Sequence, residues 1–249
     1  MSAVGCGSNE RSAPNVDATV AAAVAATRTA SDVQQKVAAT MSAPTLTTAP
    51  PTPTTESAPI VKKVLDKVIP LSESHYNDGI RYYELGQYQS AIQEFGKAIQ
   101  LNPDDADYYN NRSASYTEIG QFQLGINDYT KAIQLSPDDG SLEPDIAVTY
   151  ANRAYAYDEL GEYQNAIDDL SKAIESDSDT AKYYVSRAYS YVNLRELQNA
   201  IDDLSKAIEL DPDNIFAYFN RSVVYNMLGE FALSDADKKM ACSLDSQYC

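Results

Sequence analysis

From residue 72 onward apolar residues recur at helical spacing, and they do so as a repeated text. Residues 164–175 read QNAIDDLSKAIE, and 34 positions later residues 198–209 read the same twelve letters. Ala166, Ile167, Leu170, Ala173 and Ile174 follow the spacing i, i+1, i+4, i+7, i+8, which is one face of an amphipathic helix. Looser copies stand at 89–100 and 123–134, and an eroded one at 232–243. Each copy follows a second helical stretch, such as YANRAYAYDELGEY at 150–163 and YVSRAYSYVNLREL at 184–197. The pattern predicts units of helix, short turn, helix and polar break. A fixed period of this length is the mark of a stacked-repeat architecture.

Laid on a 34-residue frame, five units start at Ser72, Ala106, Ala147, Ala181 and Ile215. Frame position 8 is small throughout (Gly79, Ser113, Ala154, Ala188, Ser222), and position 11 is always tyrosine (Tyr82, Tyr116, Tyr157, Tyr191, Tyr225). Position 20 is Ala91, Gly125, Ala166, Ala200 and Ser234, and position 27 is alanine in every unit. On these residues the chain resembles the tetratricopeptide-repeat (TPR) proteins. The resemblance implies an all-α fold, a right-handed superhelix of five helix-turn-helix units (an α-solenoid). The units would span 72–105, 106–139, 147–180, 181–214 and 215–249. Extra residues 140–146 fall between the second and third, and Pro144 suits the first turn of a lengthened helix.

Residues 1–58 are a different material, rich in Ala, Thr, Ser, Val and Pro and free of aromatics. They are expected to form a tether without a packed core, with a lone helix at 16–41 and an extended Pro/Thr linker after it. Residues 59–71 read as an amphipathic lead-in that covers the first unit. The start, Ala3-Val4-Gly5-Cys6, resembles the lipidation box of bacterial lipoproteins, which implies Cys6 as the lipidated residue and a bacterial envelope location. It departs from that pattern in Ala3 and in lacking a charged and hydrophobic leader. A cytoplasmic scaffold whose tail is only a linker stays open beside it.

Charge narrows the partner. Of 19 basic and 36 acidic residues, 6 and 5 lie in 1–71, which leaves 13 and 31, a net −18, in residues 72–249. So acidic a surface repels phosphate backbones, so nucleic acid is not expected, and a protein or peptide with basic or apolar segments is. No stretch reads as membrane-spanning, so a membrane would be reached only through a lipid anchor. The sequence holds no phosphate-binding glycine loop, nucleophile elbow or metal-ligand spacing, and neither an enzyme nor a cofactor is expected. His75, the single histidine, reads as a packed side chain at the core edge.

By the resemblance, positions 2, 5, 6, 9, 12 and 13 of each first helix face a concave groove that binds a partner segment. Position 6 supplies Asn77, Asn111, Asn152, Ser186 and Asn220, whose side chains suit backbone hydrogen bonding. Tyr155, Tyr189, Phe219 and Val223 add rings and apolar surface, and Val185, Val192 and Met227 extend the apolar half. Tyr189 and Asn152 are expected to be accessible and Tyr157 and Tyr191 buried. The lysines with which related co-chaperones grip a chaperone C-terminal carboxylate are absent, so that partner is not expected. Arginine at position 7 (Arg112, Arg153, Arg187, Arg221) and acid at position 23 predict ion pairs across unit boundaries: Arg153 to Asp128, Arg187 to Asp169, Arg221 to Asp203. Cys242 and Cys249 are close enough in sequence for a disulfide. The functional expectation is a protein-interaction adaptor, with a self-associating structural module as the alternative.

Overall fold

The computed structural model describes residues 57–136 and 144–248, with side chains from 69 to 136 and from 146 to 248. The tether, its lone helix, Cys6, Cys249 and most of the inserted loop lie outside the described residues.

Among the described residues there are ten α-helices, one 3-10 turn and no strand. They run α1 Ser57–Glu84, α2 Tyr88–Leu101, α3 Ala106–Glu118, α4 Phe122–Leu135, α5 Pro144–Glu159, α6 Tyr163–Ser176, α7 Ala181–Asn193, α8 Leu197–Leu210, α9 Ile215–Leu228 and α10 Phe231–Leu244, then Ser246–Tyr248. The lead-in is not a separate element. It is continuous with the first helix of unit one, with Pro70 inside. The third unit's first helix starts at Pro144, where proline's missing N–H leaves no helix bond unmade.

Each helix packs on its neighbours in sequence, and the first helices of successive units also touch. That puts α1, α3, α5, α7 and α9 side by side along one face, with the second helices behind them. Alanines and small residues at the helix crossings carry the contact: Ala91, Ala98, Ala154, Ala166, Ala173, Ala188, Ala200 and Ala207 are all essentially inaccessible. At Gly79 a β-carbon would lie 2.6 Å from the Phe95 ring, so only glycine allows that crossing.

The turn inside every unit closes the same way. The N–H of position 16 bonds the carbonyl of the position-11 tyrosine, at 2.8 Å from Gln87 to Tyr82 and 2.9 Å from Glu230 to Tyr225. The closure demands left-handed backbone at position 15. Gly86, Gly120, Gly161 and Gly229 supply it, while the fourth unit holds Arg195 there at φ 65°. Two of the polar breaks between units cap the next helix: Asp105 accepts from the Asp107 N–H and Asn214 from the Ala217 N–H, while Thr180 makes no such bond.

Candidate functional site

The face built by the first helices has two sides with different chemistry, and the arginines define one of them. Arg153 Nε and Nη2 donate to the two carboxylate oxygens of Asp169 at 2.7 Å each. Arg187 grips Asp203 at 2.8 Å on both oxygens, and Arg112–Asp128 and Arg221–Asp237 repeat the fork. These pairs sit inside one unit, not across a boundary as the sequence suggested. Antiparallel packing of the two helices sets position 7 beside position 23 of the same unit, so the neighbouring unit's carboxylate is not the partner.

The arginines still reach across the boundary, to a hydroxyl. The remaining nitrogen, Nη1, donates to Thr130 from Arg153 (2.9 Å), to Ser171 from Arg187 (3.0 Å) and to Ser205 from Arg221 (2.9 Å). Each guanidinium also lies between two tyrosines of its own helix, at positions 4 and 11; Arg187 is 5.8 Å from the Tyr184 ring and 5.9 Å from that of Tyr191. Tyr157 and Tyr191 are half-buried rather than buried, each with its ring against an arginine. Burial pushes the Asp169 carboxyl above the ordinary aspartate range, against the pull of its two bonds from Arg153. A buried, fully bonded pair of this kind is a structural staple.

Unit one lacks the staple. Asp78 replaces the arginine, and Glu94 at position 23 is held instead by His75 Nδ1 at 2.7 Å and Lys97 Nζ at 2.7 Å. The bond from Lys97, with a lesser one from His75, holds Glu94 below the usual carboxylate range. His75 is thus a hydrogen-bond partner of a carboxylate and not only a packing residue. In the second unit Arg112 has its aspartate but no hydroxyl, because Gly96 occupies position 25 of unit one.

The other side of the first helices carries the expected groove residues. Tyr189 is 48% exposed and Tyr155 37%, and the Phe122 ring of the preceding unit meets Tyr155 edge-on at 6.3 Å. On α9 Phe216, Phe219, Val223 and Met227 follow helical spacing and are all exposed. Val185 and Val192 are not free groove surface; they pack against the core around Leu204. Asn152 and Asn220 are half-buried and Asn77 is exposed, and no side-chain hydrogen bond engages any of them among the described residues. Asn111 differs: its amide donates to Tyr76 Oη at 3.0 Å and to the Asp107 carbonyl at 2.8 Å, so both donor hydrogens are used. Ser186 is half-buried, its carbonyl accepting a long bond from Ser190.

Asp158 of α5 accepts from Ser190 of the next unit at 2.7 Å. Burial pushes its carboxyl up to about 7. Asp158 stands at frame position 12 of the third unit. Position 12 gives no hint that the next unit will bury it. No group of three or more His, Cys, Asp or Glu among the described residues could hold a metal ion. No helix among them is long and apolar enough to cross a membrane.

A stack of helix pairs whose first helices share one open face is an α-solenoid. Models of the TPR repeat and the tetratricopeptide repeat match residues 79–120, 106–139, 147–179, 181–214 and 204–236, together more than half of the chain. The chain belongs to the tetratricopeptide-repeat family. Among solved structures it is similar to MamA, at 23% identity and a TM-score of 0.62 over 68% of this chain and 95% of that one. A second MamA structure, from Desulfovibrio magneticus RS-1, gives 14% identity and a TM-score of 0.65 over 71% and 96%. YrrB, described as a TPR protein with an unusual peptide-binding site, gives 15% and 0.60 over 76% and 92%. No curated protein matches the chain in sequence.

Proposed function

We propose that the chain is a protein-interaction adaptor that binds a partner segment along the open face of its first helices. The observation that carries this reading is the ridge of exposed rings and apolar side chains at position 9 and its neighbours: Tyr155, Tyr189, Val223 and, on the same side of α9, Phe219. Exposed aromatic surface in line with unpaired amides offers both burial and hydrogen bonds to an extended chain. Asn152 and Asn220 supply the amides. Glu118, Asp158 and Glu159 line the neighbouring positions 12 and 13, which favours a partner with basic residues toward the early units and apolar ones toward α9. Selection from a random peptide library against the full chain tests this. The expected outcome is enrichment of peptides that combine lysine or arginine with aromatic or aliphatic residues. Enrichment of acidic peptides, or of none, would contradict it.

We further propose that residues 1–56 tether this module to a bacterial envelope membrane through a lipid on Cys6. Its motivation is the Ala3-Val4-Gly5-Cys6 box and the Ala/Thr/Pro composition behind it. Expression in the native host with its upstream codons should give membrane-bound protein, and Cys6→Ser should release it. Equal partition of both into the soluble fraction would favour a cytoplasmic scaffold.

A further inference from the structure

The aromatic end of the open face already has an occupant. The 3-10 turn Ser246–Tyr248 folds back from α10 and sets the Tyr248 ring edge-on against Phe219 at 5.2 Å and Phe216 at 6.2 Å. Frame position 5, where Phe219 stands, meets an aromatic elsewhere in the stack too. Tyr76 at position 5 of unit one packs at 4.9 Å against Tyr108, the position-3 residue of the unit that follows. Tyr248 therefore fills, from a single turn, the place that a following unit's tyrosine takes inside the stack. The fit is incomplete: Phe216 remains 54% exposed and Phe219 37% with the ring in place. The turn itself is lightly held, by the Gln247 N–H on the Asp245 carboxylate and the Tyr248 N–H on the Asp245 carbonyl. A short segment with two local hydrogen bonds would fray without a further tie. Cys242, one turn back on α10, is disulfide-bonded.

We propose that residues 246–248 are an in-cis pseudo-ligand of the aromatic end of the binding face, tied down by a Cys242–Cys249 disulfide, so that a dithiol reductant opens that end to a partner's aromatic side chain. This rests on the adaptor reading and adds its regulation. In the switching step a dithiol attacks the bridge, the S–S bond breaks, Cys242 and Cys249 each leave as a thiol, and the dithiol becomes a cyclic disulfide. Two electrons and two protons pass from reductant to protein. Cys249 directly follows Tyr248, so its bridge to α10 would fix the residue that carries the ring. The surface released to a partner is Phe216 and Phe219, which selects an aromatic or large aliphatic side chain over a charged one.

The test needs no partner, so its failure is distinct from failure of the adaptor reading. Non-reducing peptide mapping of the full chain should find Cys242 joined to Cys249; a link from Cys242 to Cys6 would overturn the proposal. Amide hydrogen exchange is then compared between oxidised and dithiol-reduced protein. The Gln247 and Tyr248 amides should exchange about tenfold faster after reduction, while the middle of α10 keeps its protection. Binding of the neutral dye Nile red should rise in the same step, and the rise should be absent in Phe219→Ser. Unchanged exchange would show that the bridge does not hold the turn. Faster exchange without the dye response would show that the turn covers no apolar surface. Either result overturns the proposal. Cys242→Ser should behave as the reduced protein, and if it folds poorly, the wild-type comparison still decides.

Discussion

Two sides of the same first helices follow opposite rules. On the staple side, units two to five use one chemistry four times: tyrosine, arginine and tyrosine at positions 4, 7 and 11, closed on an aspartate at position 23. On the open side the same helices present Ala114, Tyr155, Tyr189 and Val223 at one and the same position, and the charge changes from acidic to apolar along the stack. The staple is largely buried, its guanidinium bonded through Nε and Nη2 in all four units and through Nη1 in three, so a change there leaves a charge without a partner. The open side is in water and can change without loss of stability. Repetition therefore builds the scaffold, and departure from repetition sets the chemistry of the open face. Unit one breaks the first rule: there Glu94 is bonded across the helix crossing by His75 and along its own helix by Lys97.

The largest effect is expected on the staple side. Arg187→Ala should cost about 3 kcal/mol in urea unfolding, because Asp203 stays buried with no counter-charge. The loss should include the bond to Ser171. A change below about 1 kcal/mol would mean that Asp203 is resolvated and that the pair is no staple. The next effect lies at the border of the two sides. Asp158 titrates near 7 in the folded chain against an ordinary 3.8, raised by burial, so the protonated form is the one the fold prefers. Its contribution to stability is complete below pH about 4 and is lost as pH rises through about 7. Asp158→Asn keeps an acceptor for Ser190 and removes the charge. It should match wild type at pH 4 and exceed it at pH 8 by about 2 kcal/mol, the full shift being discounted for partial solvation. Parallel pH profiles for the two proteins would refute the burial of this carboxylate.

Two smaller changes repair departures from the repeated text. Gly96→Ser should stabilise by about 1 kcal/mol, through a better helix residue and a hydroxyl for Arg112. A β-carbon there would sit 3.8 Å from Arg112 Nη1, in open contact. If thermal unfolding shows no gain, the hydroxyls at Thr130, Ser171 and Ser205 are incidental. Arg195→Gly should add about 0.5 kcal/mol, by relieving left-handed backbone at a side chain while giving up some chain stiffness. A loss instead would mean that the Arg195 side chain has a contact worth more than the strain.

The repeat frame was legible because small residues and tyrosines must recur wherever helices cross alike. Arginine and acid at positions 7 and 23 were legible as partners, but their pairing was assigned one unit off. Sequence spacing shows that two columns are complementary. It does not show which copy of a column lies alongside, since that depends on how closely the helices of one unit pack. The hydroxyl column Thr130, Ser171 and Ser205 and the tyrosines at position 4 (Tyr109, Tyr150, Tyr184, Tyr218) were visible signals that went unread. The open side was legible for Tyr189, Phe219 and Val223. It was less so for Asn111, whose amide is spent on Tyr76 of the previous unit, a contact that no within-unit pattern announces.

The division between scaffold and recognition can be measured in one pair of variants. Tyr189→Ala and Arg187→Ala sit two residues apart on α7, one on each side. Affinity for a library-selected peptide and urea unfolding free energy would be determined for both. Tyr189→Ala should weaken binding about tenfold or more with unfolding within about 0.5 kcal/mol of wild type. Arg187→Ala should lower stability while the protein that remains folded binds as before. Loss of binding in Arg187→Ala at full stability, or a Tyr189→Ala variant that binds normally, would contradict the account.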